Sequence, residues 1–314
     1  MKLLLLFQRF FLWRWKMFFL DYLLILLGLL LGVAFFTLME RKVLGYIHFR
    51  KGPTKIFYFG LLQPIGDAVK LFSKELISGF KSSFFFYMGG PFFGLFLLFL
   101  LWISCGSVFG GFGSFFSVIY VFCFLSLGVY FFLFCCWGSM SKYSLFGGYR
   151  AVSQTVSYEV SMIFFVLCFV FFISFYDLSL FFFFQLGFWF FGFSFVFFMA
   201  WLFICLSESN RTPFDFSEGE SELVSGFNTE YGGGVFSLIF ICEYGGILFL
   251  CFLTVVFFFG SSLFFFKVVF WCFFFVWVRC CYPRYRYDFL MDTAWKVILP
   301  CSLFFLLVFV IWYF

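Results

Sequence analysis

The fold class predicted for this 314-residue chain is an all-α polytopic membrane protein, with about eight transmembrane helices and one amphipathic helix at the interface. Three observations predict it. Hydrophobic residues make up 65% of the sequence and charged residues only 11%, whereas soluble domains are roughly 45–50% apolar. Mean hydropathy is +1.11. A helix needs about 20 apolar residues to cross the hydrocarbon, and eight stretches meet that length, with polar connections between alternate pairs. The 69 phenylalanines exceed what packing requires and suggest a T-rich coding strand of organellar type.

The first sixteen or so residues, MKLLLLFQRFFLWRWK, are basic and aromatic. No small-residue cleavage site follows them, so residues 1–18 are expected to lie at the interface, with Trp13 and Trp15 as anchors. The spans then fall at about 19–39, 84–105, 115–138, 152–175, 185–206, 234–257, 261–279 and 291–313. Between the first two, Ile65, Val69, Phe72 and Leu76 recur at helical spacing, with Asp67, Lys70 and Lys74 turned elsewhere. That pattern predicts an interfacial amphipathic helix, started by Pro64. With no internal repeat and no linker, residues 1–314 read as a single membrane domain. Its polar connections are 40–83, 139–151, 207–233 and 280–290.

Most bases outside the spans, from Arg41 to Arg286, fall in those four connections, against Lys2, Arg9, Arg14 and Lys16 on the other side. The positive-inside rule therefore turns the long loops toward the cytoplasm or the mitochondrial matrix. A net charge of +5 without a basic patch interleaved with exposed aromatics speaks against nucleic acid. Twelve cysteines occur with no Cys-x-x-Cys and one histidine, His48, so zinc and iron–sulfur ligand sets lack a basis and any redox cofactor is expected on another chain. Phosphate-binding glycine loops, nucleophile elbows and zinc-protease motifs are missing as well.

Chemistry concentrates in NRTPFDFSEGESELVSGFNTEY, residues 210–231, where Asp215, Glu218, Glu220, Glu222 and Glu230 accompany one base, Arg211. Carboxylates crowded between two spans repel one another and lose solvation, and both effects favour the protonated form. Such a set titrates as a unit; a solvated acidic surface is the alternative. Two more acids, Glu159 and Glu243, lie inside spans, roughly 10–13 Å deep at about 1.5 Å per residue. An intramembrane carboxylate marks an ion or proton pathway; the alternative is a protonated glutamate bonded to a neighbouring helix. Glu40 and Glu208 close the first and fifth spans and extend the same acidic line. In RCCYPRYRYD, Arg279, Arg284 and Arg286 alternate with tyrosines, as in a wet slot or a lipid-headgroup site.

These loops are distinctive. ERKVLGY (40–46), RKGPTK (50–55), GLLQPIGDAVKLFSKE (60–75), SKYSLFGGYRAVSQTVSYEV (141–160), ESNRTPFDFSEGESELVSGFNTEYGGG (208–234), EYG (243–245) and YPRYRYDFLM (282–291) closely resemble the chain-1 family of NADH:ubiquinone oxidoreductase, respiratory complex I, over nearly the whole chain. The resemblance implies an enzyme subunit of the mitochondrial inner membrane, multi-pass, with its long loops in the matrix. It binds no redox cofactor itself, while FMN and iron–sulfur clusters sit on partner subunits. Its partners would be the peripheral-arm subunits of the quinone site, the neighbouring membrane-arm subunits and the lipid bilayer.

It further implies that Arg41, Arg50, Asp67, Phe240 and Arg279 line a tunnel for ubiquinone or rhodoquinone. Glu40, Glu159, Glu208, Asp215, Glu218, Glu220, Glu222, Glu230, Glu243 and Tyr244 would form the acidic path from quinone to proton channels. Arg150, Arg284 and Arg286 would face partner subunits. Leu76 stands where the family carries proline, and Gly66 where alanine is common. Three other readings share these features: a membrane subunit of a related hydrogenase complex, a stand-alone proton or cation transporter, and a structural anchor for a soluble enzyme.

Overall fold

A computed structural model describes residues 2–75, 82–106, 115–192, 195–217, 219 and 226–313, with side chains from residue 20 to 311. Seven helices among these are long and apolar enough to cross a membrane. The first, α1, runs unbroken over Lys2–Ile47. At 1.5 Å per residue it is about 69 Å long, so the N-terminal extension and the first span share one continuous backbone. Residues 2–18 continue the helix of the first span.

The expected interfacial helix is α2, Gln63–Phe72, with Pro64 in its first turn, where the missing N–H costs nothing. Gly60 before it has φ +73°, and a Cβ there would press on the Pro53 carbonyl. Ile65, Val69 and Phe72 form the exposed apolar stripe. Leu76, which was expected to extend that stripe, lies outside the described residues.

Helices α3 (Phe84–Ser104) and α4 (Ser117–Ser139) form a hairpin. In lipid such pairs gain from small residues that let backbones approach. Gly90 faces the Cys135 backbone, and Gly138 lies where a Cβ would come 2.6 Å from the Tyr87 nitrogen. The polar connection expected at 139–151 is largely helix. After Met140 the chain enters α5, Lys142–Ile173, whose Ser141 hydroxyl accepts from the Ser144 amide, a standard N-cap bond.

The fifth crossing, expected at 185–206, is built from pieces: α6 (Leu178–Phe184), a single turn at Phe190–Gly192, and α7 (Phe195–Glu208). Helix α7 spans only about 21 Å. The buried Gln185 amide explains the break, because it turns from its own helix to donate to the Val256 and Phe257 carbonyls at 2.8 and 3.2 Å. Those carbonyls end α8 (Gly233–Phe258), where the last orphan acceptors need donors. Helix α8 touches α1, α2, α3, α6, α7 and α9 (Phe264–Cys281), and every residue from Phe249 to Phe258 is buried.

The last span enters through α10 (Tyr287–Thr293), widens into a π-turn at Ala294–Ile298, and continues as α11 (Leu299–Tyr313). Tyr158 of α5 anchors the widened turn, donating to the Leu290 carbonyl at 2.8 Å. The apolar core between α5, α7, α8 and α11 is aromatic: Phe169 stacks on Phe257 with centroids 5.5 Å apart, and Phe197 meets Phe305 edge-on at 5.1 Å.

Gly138→Ala places a methyl group against the Tyr87 backbone, and overpacking of this kind costs about 1–3 kcal/mol. The variant complex is expected to melt earlier in a thermal-shift measurement in detergent, whereas Gly128→Ala, facing open space, should melt with wild type.

Candidate functional site

Two ion pairs lie beside α8 in the half nearer the long loops. Glu40 ends the apolar stretch of α1 and is only 6% exposed. A buried carboxylate needs donors and a counter-charge, and it has both: the Arg279 guanidinium of α9 contacts Oε1, and the Tyr244 hydroxyl of α8 donates to Oε2 at 2.7 Å. Phe36 meets the Tyr244 ring edge-on, with centroids 5.6 Å apart. Glu40, Tyr244 and Arg279 thus form one hydrogen-bonded unit on three helices.

One residue earlier, Glu243 pairs with Arg211 from the loop after α7, both side chains being about nine-tenths buried. The guanidinium lies over the Tyr244 ring at 4.8 Å and the Phe240 ring at 5.8 Å. Desolvated cation–π contacts of this sort contribute about 2 kcal/mol. Arg211 therefore touches both acidic units, through Glu243 directly and through Tyr244 to Glu40. In the sequence Arg211 stands as the lone base of an acidic loop with no site role; nothing local pairs it with a glutamate 32 positions away.

Two cavities connect these groups. One of about 20 Å³ is bordered by Glu40, Arg211, Thr212, Tyr244 and Arg279, room for about one water molecule. The other, about 120 Å³, has apolar walls from α3 and α4 and a polar floor of Thr155, Glu208, Asn210 and Glu243. Ser209 and Ile247 line both. Glu208 also lies within electrostatic reach of Glu159, and Glu159 borders a third cavity of about 280 Å³ between α4 and α5. Glu40, Glu243, Glu208 and Glu159 thus follow one another through the membrane domain.

The acidic loop is less uniform than its sequence. Asp215 is buried and faces Arg284 at 3.4 Å. Glu230 is exposed. Glu218, Glu220 and Glu222 lie outside the described residues. Next to Glu230, Tyr231 donates to the Cys135 carbonyl at 2.9 Å and stacks on Tyr87 at 4.6 Å; burial pushes its phenol far above the usual range.

Of the expected tunnel residues, Arg279 and Phe240 lie at this site. Arg41 is 2.5 Å from Asp67, which also accepts from Gln63 at 2.9 Å, at the exposed junction of α1 and α2. Arg50 is exposed on the loop between them. Arg150 sits over the Tyr287 ring at 5.8 Å, and Arg286 pairs with Asp288 on the surface at 2.9 Å. Among the described residues no three His, Cys, Asp or Glu side chains converge as a metal site would require.

Residues 20–310 match the NADH dehydrogenase family. Among curated proteins, NADH-ubiquinone oxidoreductase chain 1 of Aedes aegypti is 51% identical, covering 92% of this chain and 96% of the relative. The proteins of the same name from Locusta migratoria and Loxodonta africana are 47% and 42% identical, over 94% and 91% of this chain and 95% and 94% of theirs.

Arg279→Met strands Glu40 as a buried charge. Breaking one partner of such a pair costs about 3–5 kcal/mol, toward the lower figure here because Arg279 is 28% exposed. A double-mutant cycle with Glu40→Gln, read by thermal stability, is expected to recover most of that loss; additive losses would exclude the pairing.

Proposed function

The chain belongs to the NADH dehydrogenase family and is a core membrane subunit of NADH:ubiquinone oxidoreductase; from that premise we propose that its buried acidic line carries the response to quinone reduction into the membrane. The observation that carries this reading is the sequence of paired and cavity-linked groups from Glu40 to Glu159. High identity along more than nine-tenths of the relatives favours it over a stand-alone transporter, a hydrogenase subunit or a structural anchor.

Ubiquinone, or rhodoquinone, reaches its reduction site along the face of α1, α2, α8 and α9, where Arg41, Asp67, Phe240 and Arg279 supply a polar rim around an aromatic wall. Arg50 extends that rim toward the loop. Reducing a quinone to its quinol consumes two electrons and two protons. The electrons come from FMN and iron–sulfur clusters on peripheral-arm partners; the protons must come through polar groups near the ring. A change of charge at Arg279 or Glu40 is felt strongly, because the pair sits in a medium of low effective dielectric. Tyr244 links that pair to the stacked Arg211, and Arg211 links it to Glu243.

From Glu243 the response crosses the larger cavity to Glu208 and on to Glu159, at the groove where a neighbouring membrane-arm subunit would continue the path. Asp215, Glu218, Glu220, Glu222 and Glu230 supply the loop end of the same line. Arg150, Arg284 and Arg286 face the partner subunits. The single-domain arrangement serves this, since Glu40, Glu159, Glu208 and Glu243 are all held by helices of one bundle. The basic long loops support a matrix orientation in the inner mitochondrial membrane.

Glu208→Gln and Glu159→Gln remove carriers without changing shape. In the assembled complex each is expected to lower ubiquinone-dependent NADH oxidation and proton pumping together, by about tenfold or more. NADH oxidation by a soluble artificial acceptor should stay at wild-type rate. Full ubiquinone turnover with full pumping in both variants would falsify the reading.

A further inference from the structure

One side chain in the middle of the site does no proton chemistry and yet holds two of the acid-bearing backbone turns at once. Gln154 lies on α5 and is fully buried. Its amide nitrogen donates to the Ser207 carbonyl at 2.8 Å and to the Phe214 carbonyl at 3.0 Å. An amide NH₂ carries two hydrogens, and both are used on a segment that leaves and returns within seven residues. The carbonyl before Glu208 and the carbonyl before Asp215 are therefore tied to one atom.

The tied segment carries Glu208, Arg211 and Asp215. Within it the Phe214 amide reaches the Arg211 carbonyl at 2.9 Å, and from outside it the Tyr285 amide reaches the Pro213 carbonyl at 3.1 Å. Besides Gln154, the donors to the Ser207 and Phe214 carbonyls among the described residues are the local amides of Asn210 and Phe216, at 3.3 and 3.1 Å. Thr155, the next residue on α5, lines the cavity between Glu208 and Glu243, and Glu159 is little more than one turn further along the same helix. One helix thus carries both a member of the acidic line and the clamp that sets the distance to the next members.

We propose that Gln154 is a positioning residue of the acidic line: it fixes the 207–215 segment on α5, so that Glu208 and Arg211 keep their spacing from Glu159 and Glu243. It acts through those groups and contacts no substrate. The charged and titratable groups around the segment, among the described residues, include Glu159 on α5, Glu243 and Tyr244 on α8, Cys205 within α7, Arg284 facing Asp215, Tyr285 stacked on Phe214, and Glu40 and Arg279 across the small cavity. A shift of the clamp changes the distances among all of them.

The choice of residue follows from the geometry. Leucine fills the same volume but donates nothing, which leaves two buried carbonyls under-satisfied. Glutamate would set an acceptor against two carbonyl oxygens. Asparagine keeps both hydrogens on a stem one methylene shorter and reaches one carbonyl at best.

The proposal rests on the acidic line being proton-active, and the test separates the two. Gln154→Leu, Gln154→Asn and Glu208→Gln are compared in the assembled complex, with turnover expressed per mole of complex. Artificial-acceptor activity is expected to remain at wild type. For Gln154→Leu, ubiquinone-dependent turnover is expected to fall by about tenfold, short of the roughly hundredfold that a 1 Å misplacement can cost, and the pH profile of that turnover to be displaced. Gln154→Asn should displace the profile in the same direction by less. A wild-type pH profile in Gln154→Leu overturns the positioning role, whatever the rate; if that variant fails to assemble, a wild-type profile in Gln154→Asn overturns it. An altered profile in Glu208→Gln beside unaltered Gln154 variants removes this inference alone, whereas unaltered profiles in all three remove the acidic line with it.

Discussion

Everything at the site follows from the cost of placing carboxylates where water is scarce. Moving an isolated charge out of water costs several kcal/mol even after the protein relaxes, so buried acids that stay ionised need donors or counter-charges to hold them. Glu40 receives Arg279 and Tyr244; Glu243 receives Arg211; Asp215 receives Arg284. Each base comes from a different element than its acid. The pairs consequently tie α1 to α9, the loop after α7 to α8, and the same loop to the connection after α9. Ion pairing and tertiary structure are one constraint here.

The backbone answers the same constraint. A crossing element in lipid must satisfy its amides internally, yet the chain breaks helix near Gln185 and again after Glu208. Both breaks are covered by buried glutamine amides: Gln185 donates to the end of α8, and Gln154 donates on either side of the loop that follows α7. Irregular backbone at depth is tolerated where it is buried in protein or lines a polar cavity. The loop carrying Glu208 and Arg211 meets both conditions.

The helical class and the amphipathic α2 were legible in the sequence, because hydropathy and helical spacing are local properties. Glu40, Glu159, Glu208 and Glu243 were legible too, since an acid inside an apolar run is conspicuous. The broken fifth crossing was not: residues 185–206 are apolar enough to span, and what ends the helix is a bond from Gln185 to a carbonyl more than 70 residues away. The early start of α5 was readable after the fact from Ser141, but the polar residues behind it resembled a loop. Long-range pairing was the larger gap. The acidic loop reads as five like charges around one base, whereas in the fold Arg211 turns to Glu243 and Asp215 to Arg284. Charge counting along a chain cannot assign partners that the fold brings from elsewhere.

Arg211 lies between two of the buried glutamates. It pairs with Glu243 and rests on the Tyr244 ring, while the hydroxyl of that same tyrosine holds Glu40. Neutralising Glu40 would weaken the Tyr244 hydrogen bond and leave Arg279 uncompensated. The tyrosine ring could then shift under Arg211, and with it the guanidinium on which Glu243 depends. Coupling between sites needs a contiguous set of groups with two arrangements that both sites bias. Phe240, Arg211 and Tyr244 form a contiguous set between two carboxylates, and a water-sized cavity lies beside it. On the proposed path, Glu40 on α1, Tyr244 and Glu243 on α8, Arg279 on α9 and Arg211 on the loop pass a change of charge from one acid to the next without any helix having to move far.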